Sequence, residues 1–274
     1  MSRIKARFEG LRSSGRKALI PYLVAGDPQP RLTVPLMHRL VGVGADIIEL
    51  GVPFSDPMAE GPSIQQGHER ALANGVSLRS VLAMVEEFRT RDQTTPVLLM
   101  GYTNPLERMG FAEFTDAAVA AGLDALLTVD MPPEEVGPLN EHLRRAGLDN
   151  IFLLAPTTAE ARIETISRAA TGFLYYVSLK GVTGAGHLDT GAVADRLARI
   201  RRCSELPVAV GFGIKDAHSA RAIAEVADGV VLGSTLVQLL ADTAETESEA
   251  VQLDAAAGLI ATIRAGIDGA DMGQ

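Results

Sequence analysis

Pro96-Val-Leu-Leu-Met100, then Phe111-Ala-Glu-Phe-Thr-Asp-Ala-Ala-Val-Ala-Ala121, then Ala125-Leu-Leu-Thr-Val129 set the reading of the chain. The outer segments are short apolar runs of strand length, and the middle one has helix length and an apolar face. A strand without polar alternation is buried on both faces, as parallel strands are. The alternation recurs along the chain. Its eight apolar runs are Ala18–Ala25, Asp46–Leu50, Pro96–Met100, Ala125–Val129, Ile151–Leu154, Phe173–Val177, Pro207–Val210 and Gly229–Leu232. Helix-like stretches between them include Leu78–Arg89, Phe111–Ala121, Pro133–Ala146, Ala159–Ala169, Thr190–Arg202 and Ala217–Ala227. Repeated strand–helix order calls for a parallel sheet, and eight strands in 274 residues point to a closed (β/α)8 barrel, the TIM barrel. An open doubly wound sheet is the competitor. It would carry Gly-x-Gly-x-x-Gly after the first strand, where this chain has Ala25-Gly-Asp-Pro28.

No linker-like tract divides residues 1–274, so a single domain is expected. Residues 1–17 read as an extra helix, with Ile4, Phe8 and Leu11 on one face to cap the barrel bottom. Thr246–Arg264 reads as a last helix, and 265–274 as a loose tail. A net charge of −9 without any Lys/Arg run argues against a nucleic-acid binder. One cysteine, Cys203, excludes a disulfide framework and a multi-Cys zinc site. No secretory pattern opens the chain and no run of ~18 apolar residues occurs, so the expectation is a cytoplasmic enzyme.

Barrel active sites form at the C-terminal strand ends. Among those ends Glu49 stands out. It shares a strand face with Ile47, so a barrel-facing Ile47 implies a barrel-facing Glu49. A carboxylate there loses hydration, its pKa rises, and it can both give and take a proton near neutral pH. A structural carboxylate, capping a loop or paired with Lys or Arg, is the competing reading. The loop behind it, with Gly51 and Pro53 shaping a turn and Ser55, Asp56 and Glu60 adding polar groups, favours the catalytic one. Gly181–Gly186, Gly211–Gly213 and Gly233-Ser234, at three consecutive strand ends, suggest a phosphate held by backbone N–H groups and a helix N-terminus; glycine as mere turn-former is the alternative. Tyr22, Met100, Tyr102, Leu127, Phe152, Tyr175, Val177 and Phe212 lie at or near strand ends and suit a flat apolar ligand part, though Phe152 reads better as core. The five histidines, His38, His68, His142, His187 and His218, show no metal spacing and read as surface residues, so no metal is expected. Lys17, Lys180 and Cys203 read as non-catalytic, and Asp27 and Asp130 as loop caps.

Glu49-Leu-Gly-Val-Pro-Phe-Ser-Asp-Pro57, with Gly61-Pro62 close behind, resembles the signature of the tryptophan synthase α subunit family. Tyr22-Leu-Val-Ala-Gly-Asp-Pro28, Met100-Gly-Tyr-Thr-Asn-Pro105, Asp130-Met-Pro-Pro-Glu134, Tyr176-Val-Ser-Leu-Lys-Gly-Val-Thr-Gly184 and Gly211-Phe-Gly-Ile214 extend the resemblance over nearly the whole chain. It implies retro-aldol cleavage of indole-3-glycerol phosphate to indole and glyceraldehyde 3-phosphate. Glu49 would be the acid/base and Glu60 the second carboxylate, facing the indole N–H. Thr183 would close over the site, Tyr175 would lie beside the substrate, and Phe212 and Leu127 would line the indole pocket. Gly184, Gly213, Gly233 and Ser234 match the phosphate positions. The implied partner is a pyridoxal-phosphate-dependent β subunit in an α2β2 assembly, met by Pro53, Asp56, Asn104 and Pro105, with no cofactor in this chain. One departure stands out: the family's second carboxylate is usually Asp, and Glu60 is one methylene longer. Another phosphosugar barrel enzyme, a regulatory partner of the β subunit, and a stand-alone indole-releasing lyase are the alternatives.

Overall fold

Eight parallel strands close on themselves in sequence order in the computed structural model of this chain, which describes residues 2–177, 190–211, 213–244 and 246–269. The strands are β1 (Ala18–Val24), β2 (Ile48–Gly51), β3 (Val97–Gly101), β4 (Ala125–Thr128), β5 (Asp149–Leu154), β6 (Leu174–Val177), β7 (Val208–Gly211) and β8 (Gly229–Leu232). Each falls within two residues of its apolar run. The barrel interior is filled by the alternate side chains, among them Ile20, Ile47, Leu98, Leu127, Ile151, Tyr175, Ala209 and Val231. Their alternates face outward into the larger layer between sheet and helices. Ile47 is interior and fully buried, and Glu49, two residues on, is fully buried with it.

The helices among the described residues are α1 (Arg3–Ser13), α2 (Pro30–Gly42), α3 (Pro62–Ala73), α4 (Leu78–Arg89), α5 (Thr103–Met109), α6 (Phe111–Ala121), α7 (Gly137–Ala146), α8 (Glu160–Ala169), α9 (Thr190–Cys203), α10 (Ala217–Ala224), α11 (Ser234–Thr243) and α12 (Glu249–Ile267). α1 closes the N-terminal end of the barrel, burying Ile4, Phe8 and Leu11, with Phe8 tilted against Phe173 at 5.5 Å. Each such side chain contributes about 1.5–3 kcal/mol relative to exposure.

The structure corrects several boundaries. α7 begins at Gly137 rather than Pro133, because Pro138 supplies the preset first turn. α10 stops at Ala224, short of Ala227. The loop ends at Gly61, the N-cap, and Pro62 opens α3. Gly51 does not shape a turn but ends β2. α12 starts under a Ser248 cap and runs to Ile267, so the segment from 265 is helical at first; Arg264, between Asp46 and Asp268, fixes it there, and 270–274 lie outside the described residues. α12 is long and apolar enough to cross a membrane by length and composition, yet it buries Ala256, Ile260 and Ile263 and packs on α2, α10 and α11.

Ion pairs, two of them buried, tie the strand beginnings together. Asp46, just before β2, accepts the Leu19 N–H of β1 at 2.9 Å and an Arg264 N–H at 3.0 Å. Asp124, just before β4, accepts the Val97 N–H of β3 at 2.8 Å and Arg89 at 2.6 Å. Asp228, before β8, accepts the Val208 N–H of β7 at 2.9 Å and Arg201 at 3.2 Å. In each case an acidic residue accepts an N–H from the first or second residue of a neighbouring strand and is itself paired with an arginine.

Candidate active site

At the opposite end, Glu49 sits in the interior with neither carboxyl oxygen hydrogen-bonded among the described residues. Burial pushes its pKa up to about 8, aided by the negative charge of Glu60. Among the described residues neither a cation nor a loop N–H meets it, which argues against the paired structural carboxylate. Glu60, half-buried on the loop behind β2, is pushed by burial to about 7. Its carbonyl is held by Gln65 Nε2 at 2.8 Å.

Two tyrosines lean over the carboxylates. Tyr22 pairs in register with Glu49 across β1 and β2, and Tyr175 pairs with Ala209 across β6 and β7. Their hydroxyls pass over the inward positions of Gly51 and Gly211. A Cβ on Gly51 would run into the Tyr22 hydroxyl, and one on Gly211 would come within 2.6 Å of the Tyr175 hydroxyl. These glycines therefore make room for aromatic side chains at the mouth. Burial, with the nearby charges of Glu60 and Glu49, keeps both hydroxyls protonated far above neutral pH.

Tyr102 is turned toward the loop. It accepts the Ala59 N–H at 3.1 Å and stacks on Phe54 at 4.9 Å, clamping the segment that carries Glu60. Burial raises its hydroxyl to about 12. Leu127 is wholly buried in the interior, and Met100 pairs with it in register, half-buried. Gly213 is exposed after β7; Gly233 and Ser234 stand at the N-terminus of α11, with Ser234 exposed. Thr183, Gly184 and Phe212 lie outside the described residues, as do Lys180 and His187. Asp56 and Asn104 are exposed and Pro105 half-exposed; Pro53 is buried under the loop and offers a partner little surface.

Asp27 and Asp130 do act as braces: Asp27 takes a bidentate pair with Arg70 at 2.6 and 3.0 Å, and Asp130 accepts the Thr103 N–H and hydroxyl at the start of α5. His68 is not a surface residue. It is buried, accepts the Phe54 N–H on Nδ1 at 3.0 Å, and lies 3.3 Å from the Tyr22 hydroxyl through Nε2. The signal was present in the sequence, since Ile64, His68 and Ala71 fall on one helical face. Among the described residues no three His, Cys, Asp or Glu side chains gather as a metal site.

A family model described as Tryptophan synthase alpha chain matches residues 8–263. The chain belongs to the tryptophan synthase alpha chain family. A tryptophan synthase alpha chain from Nitrosococcus oceani is 58% identical over 268 residues, covering 98% of both chains. One from Thioalkalivibrio sulfidiphilus is 63% identical over 242 residues, 88% of this chain and 91% of its own. Among solved structures, tryptophan synthase subunit alpha from Legionella pneumophila superposes with a TM-score of 0.92 at 44% identity, over 98% of this chain and 99% of its own. The aminoacrylate-bound tryptophan synthase of M. tuberculosis reaches 0.86 at 34% identity, over 97% of this chain and all of that one.

Proposed function

We propose that this chain is the α subunit that cleaves indole-3-glycerol phosphate to indole and glyceraldehyde 3-phosphate, a carbon–carbon lyase step in tryptophan biosynthesis. The observation that carries the reading is Glu49, buried, without a hydrogen-bond partner among the described residues and raised to about 8, with Glu60 raised to about 7 close enough to act on it. Cleavage requires a proton delivered to indole C3 and a proton removed from the adjacent glycerol hydroxyl. The C3–carbon bond then breaks, its electron pair returning to the indole ring, while the hydroxyl carbon becomes an aldehyde. Glu49, protonated at neutral pH, gives the first proton and as carboxylate takes the second. Glu60, ionised, accepts the indole N–H and stabilises the positive charge that C3 protonation creates.

Leu127, Met100, Tyr22, Tyr102 and Tyr175, with Phe212, bound the indole. Gly213, Gly233 and Ser234, with Gly184, bind the phosphate through backbone N–H groups, the Ser234 hydroxyl and the positive end of α11. Thr183 closes over the site. Proton transfer suffices for the reaction, so the chain works without metal or cofactor. Pyridoxal phosphate belongs to the β subunit, which receives the indole in a cytoplasmic α2β2 assembly and meets Asp56, Asn104, Pro105 and the 83% exposed Met58. The test is indole release from indole-3-glycerol phosphate by the purified chain, alone and with a β subunit. Release that rises on adding β is expected; no release in either case would refute the reading.

A further inference from the structure

His68 has a consequence for the reaction that its burial alone does not require. A backbone N–H can only donate, so the Phe54 contact demands a lone pair on Nδ1. Burial lowers the ring's pKa to about 4, so it is neutral at working pH and its single N–H lies on Nε2. Nε2 faces the Tyr22 hydroxyl at 3.3 Å, and the hydroxyl oxygen must therefore accept. Its own hydrogen is left for another acceptor. The hydroxyl overlies Gly51, one inward step along β2 from Glu49, whose two oxygens are without partners among the described residues.

We propose that His68 is a positioning residue for the cleavage: it leaves the Tyr22 hydrogen to be donated into the barrel mouth, where Glu49, not hydrogen-bonded to Tyr22 in this structure, turns to accept it once it has given up its proton. Tyr22 then stabilises the ionised form that takes the second proton. The ring also fixes the loop that carries Glu60, through Phe54, so the surroundings of both carboxylates are keyed to one imidazole. This inference rests on the cleavage reading above.

The test is a double-mutant cycle on the α–β complex, measuring kcat and KM for indole-3-glycerol phosphate with Tyr22→Phe, His68→Leu and the double variant. A hydrogen bond to a charged group predicts that each single variant lowers kcat roughly tenfold to a hundredfold. KM should stay within about threefold, and the double variant should be no slower than the slower single one. His68→Gln, whose amide can donate to the hydroxyl, should recover most of the rate. Losses that multiply in the double variant, or a His68→Gln enzyme as slow as His68→Leu while its thermal melt matches wild type, would overturn the inference. A wild-type complex that releases no indole would instead overturn the cleavage reading itself.

Discussion

Glu49 and Glu60 give the mouth opposite proton requirements. Glu60 must be ionised to accept an N–H, and Glu49 must be protonated to deliver a proton. With values of about 7 and about 8, kcat/KM should rise through the first and fall through the second, giving a narrow bell centred between them. The limbs belong to the pair, since Glu60's charge is part of what raises Glu49. Glu60→Gln should accordingly shift the alkaline limb to lower pH; a limb that stays in place would show that the two do not interact. The same shifts bear on stability. Both groups stand above their ordinary 4.5, so the folded chain binds more protons than the unfolded one between that value and about 8. Stability is therefore lost as pH rises through the window. The Tm gap between Glu49→Gln and wild type should widen in favour of the variant from about pH 5 to about pH 8, and a gap independent of pH would contradict this.

At the level of elements, β2 shows how much of the site was legible in the sequence. Period two along Ile47 and Glu49 gives the carboxylate's direction without any coordinates, and the structure bears it out. Gly51 continues the same series, but its reason is invisible in sequence: it depends on Tyr22 crossing from β1, a contact between strands. Gly211 and Tyr175 repeat the case at β7. In sequence Gly51 reads as a turn residue, because glycine ordinarily marks turns, and Gly211 as part of a phosphate cradle. His68 was misread for a related reason: without α3 recognised behind Pro62, its helical face could not be drawn. Gly51→Ala should displace the Tyr22 ring and overpack the mouth, destabilising the chain by roughly 1–3 kcal/mol and lowering kcat. Wild-type kcat in a folded Gly51→Ala protein would mean that the Tyr22 hydroxyl position is unimportant.

Across the whole molecule the two ends of the barrel divide the work. The strand beginnings carry carboxylates that are paired: Asp46 with Arg264, Asp124 with Arg89, Asp228 with Arg201. At the strand ends Asp27 and Asp130 brace loops, while Glu49 and Glu60 have no ion-pair partner among the described residues and are pushed toward neutral pH, in keeping with stability at the bottom of such barrels and chemistry at the top. Arg264→Met should leave the buried Asp46 with only the longer Arg7 contact at 3.9 Å and cost about 3–5 kcal/mol, a Tm loss on the order of 10 °C, with kcat per folded molecule unchanged. A change in kcat without a change in Tm would break that division. The central claim is that Glu49 moves the protons of cleavage, and single-turnover indole release by Glu49→Gln in complex with a β subunit tests it most directly. The account predicts a rate lower by at least about a hundredfold, with substrate still bound; release within about tenfold of wild type would contradict it.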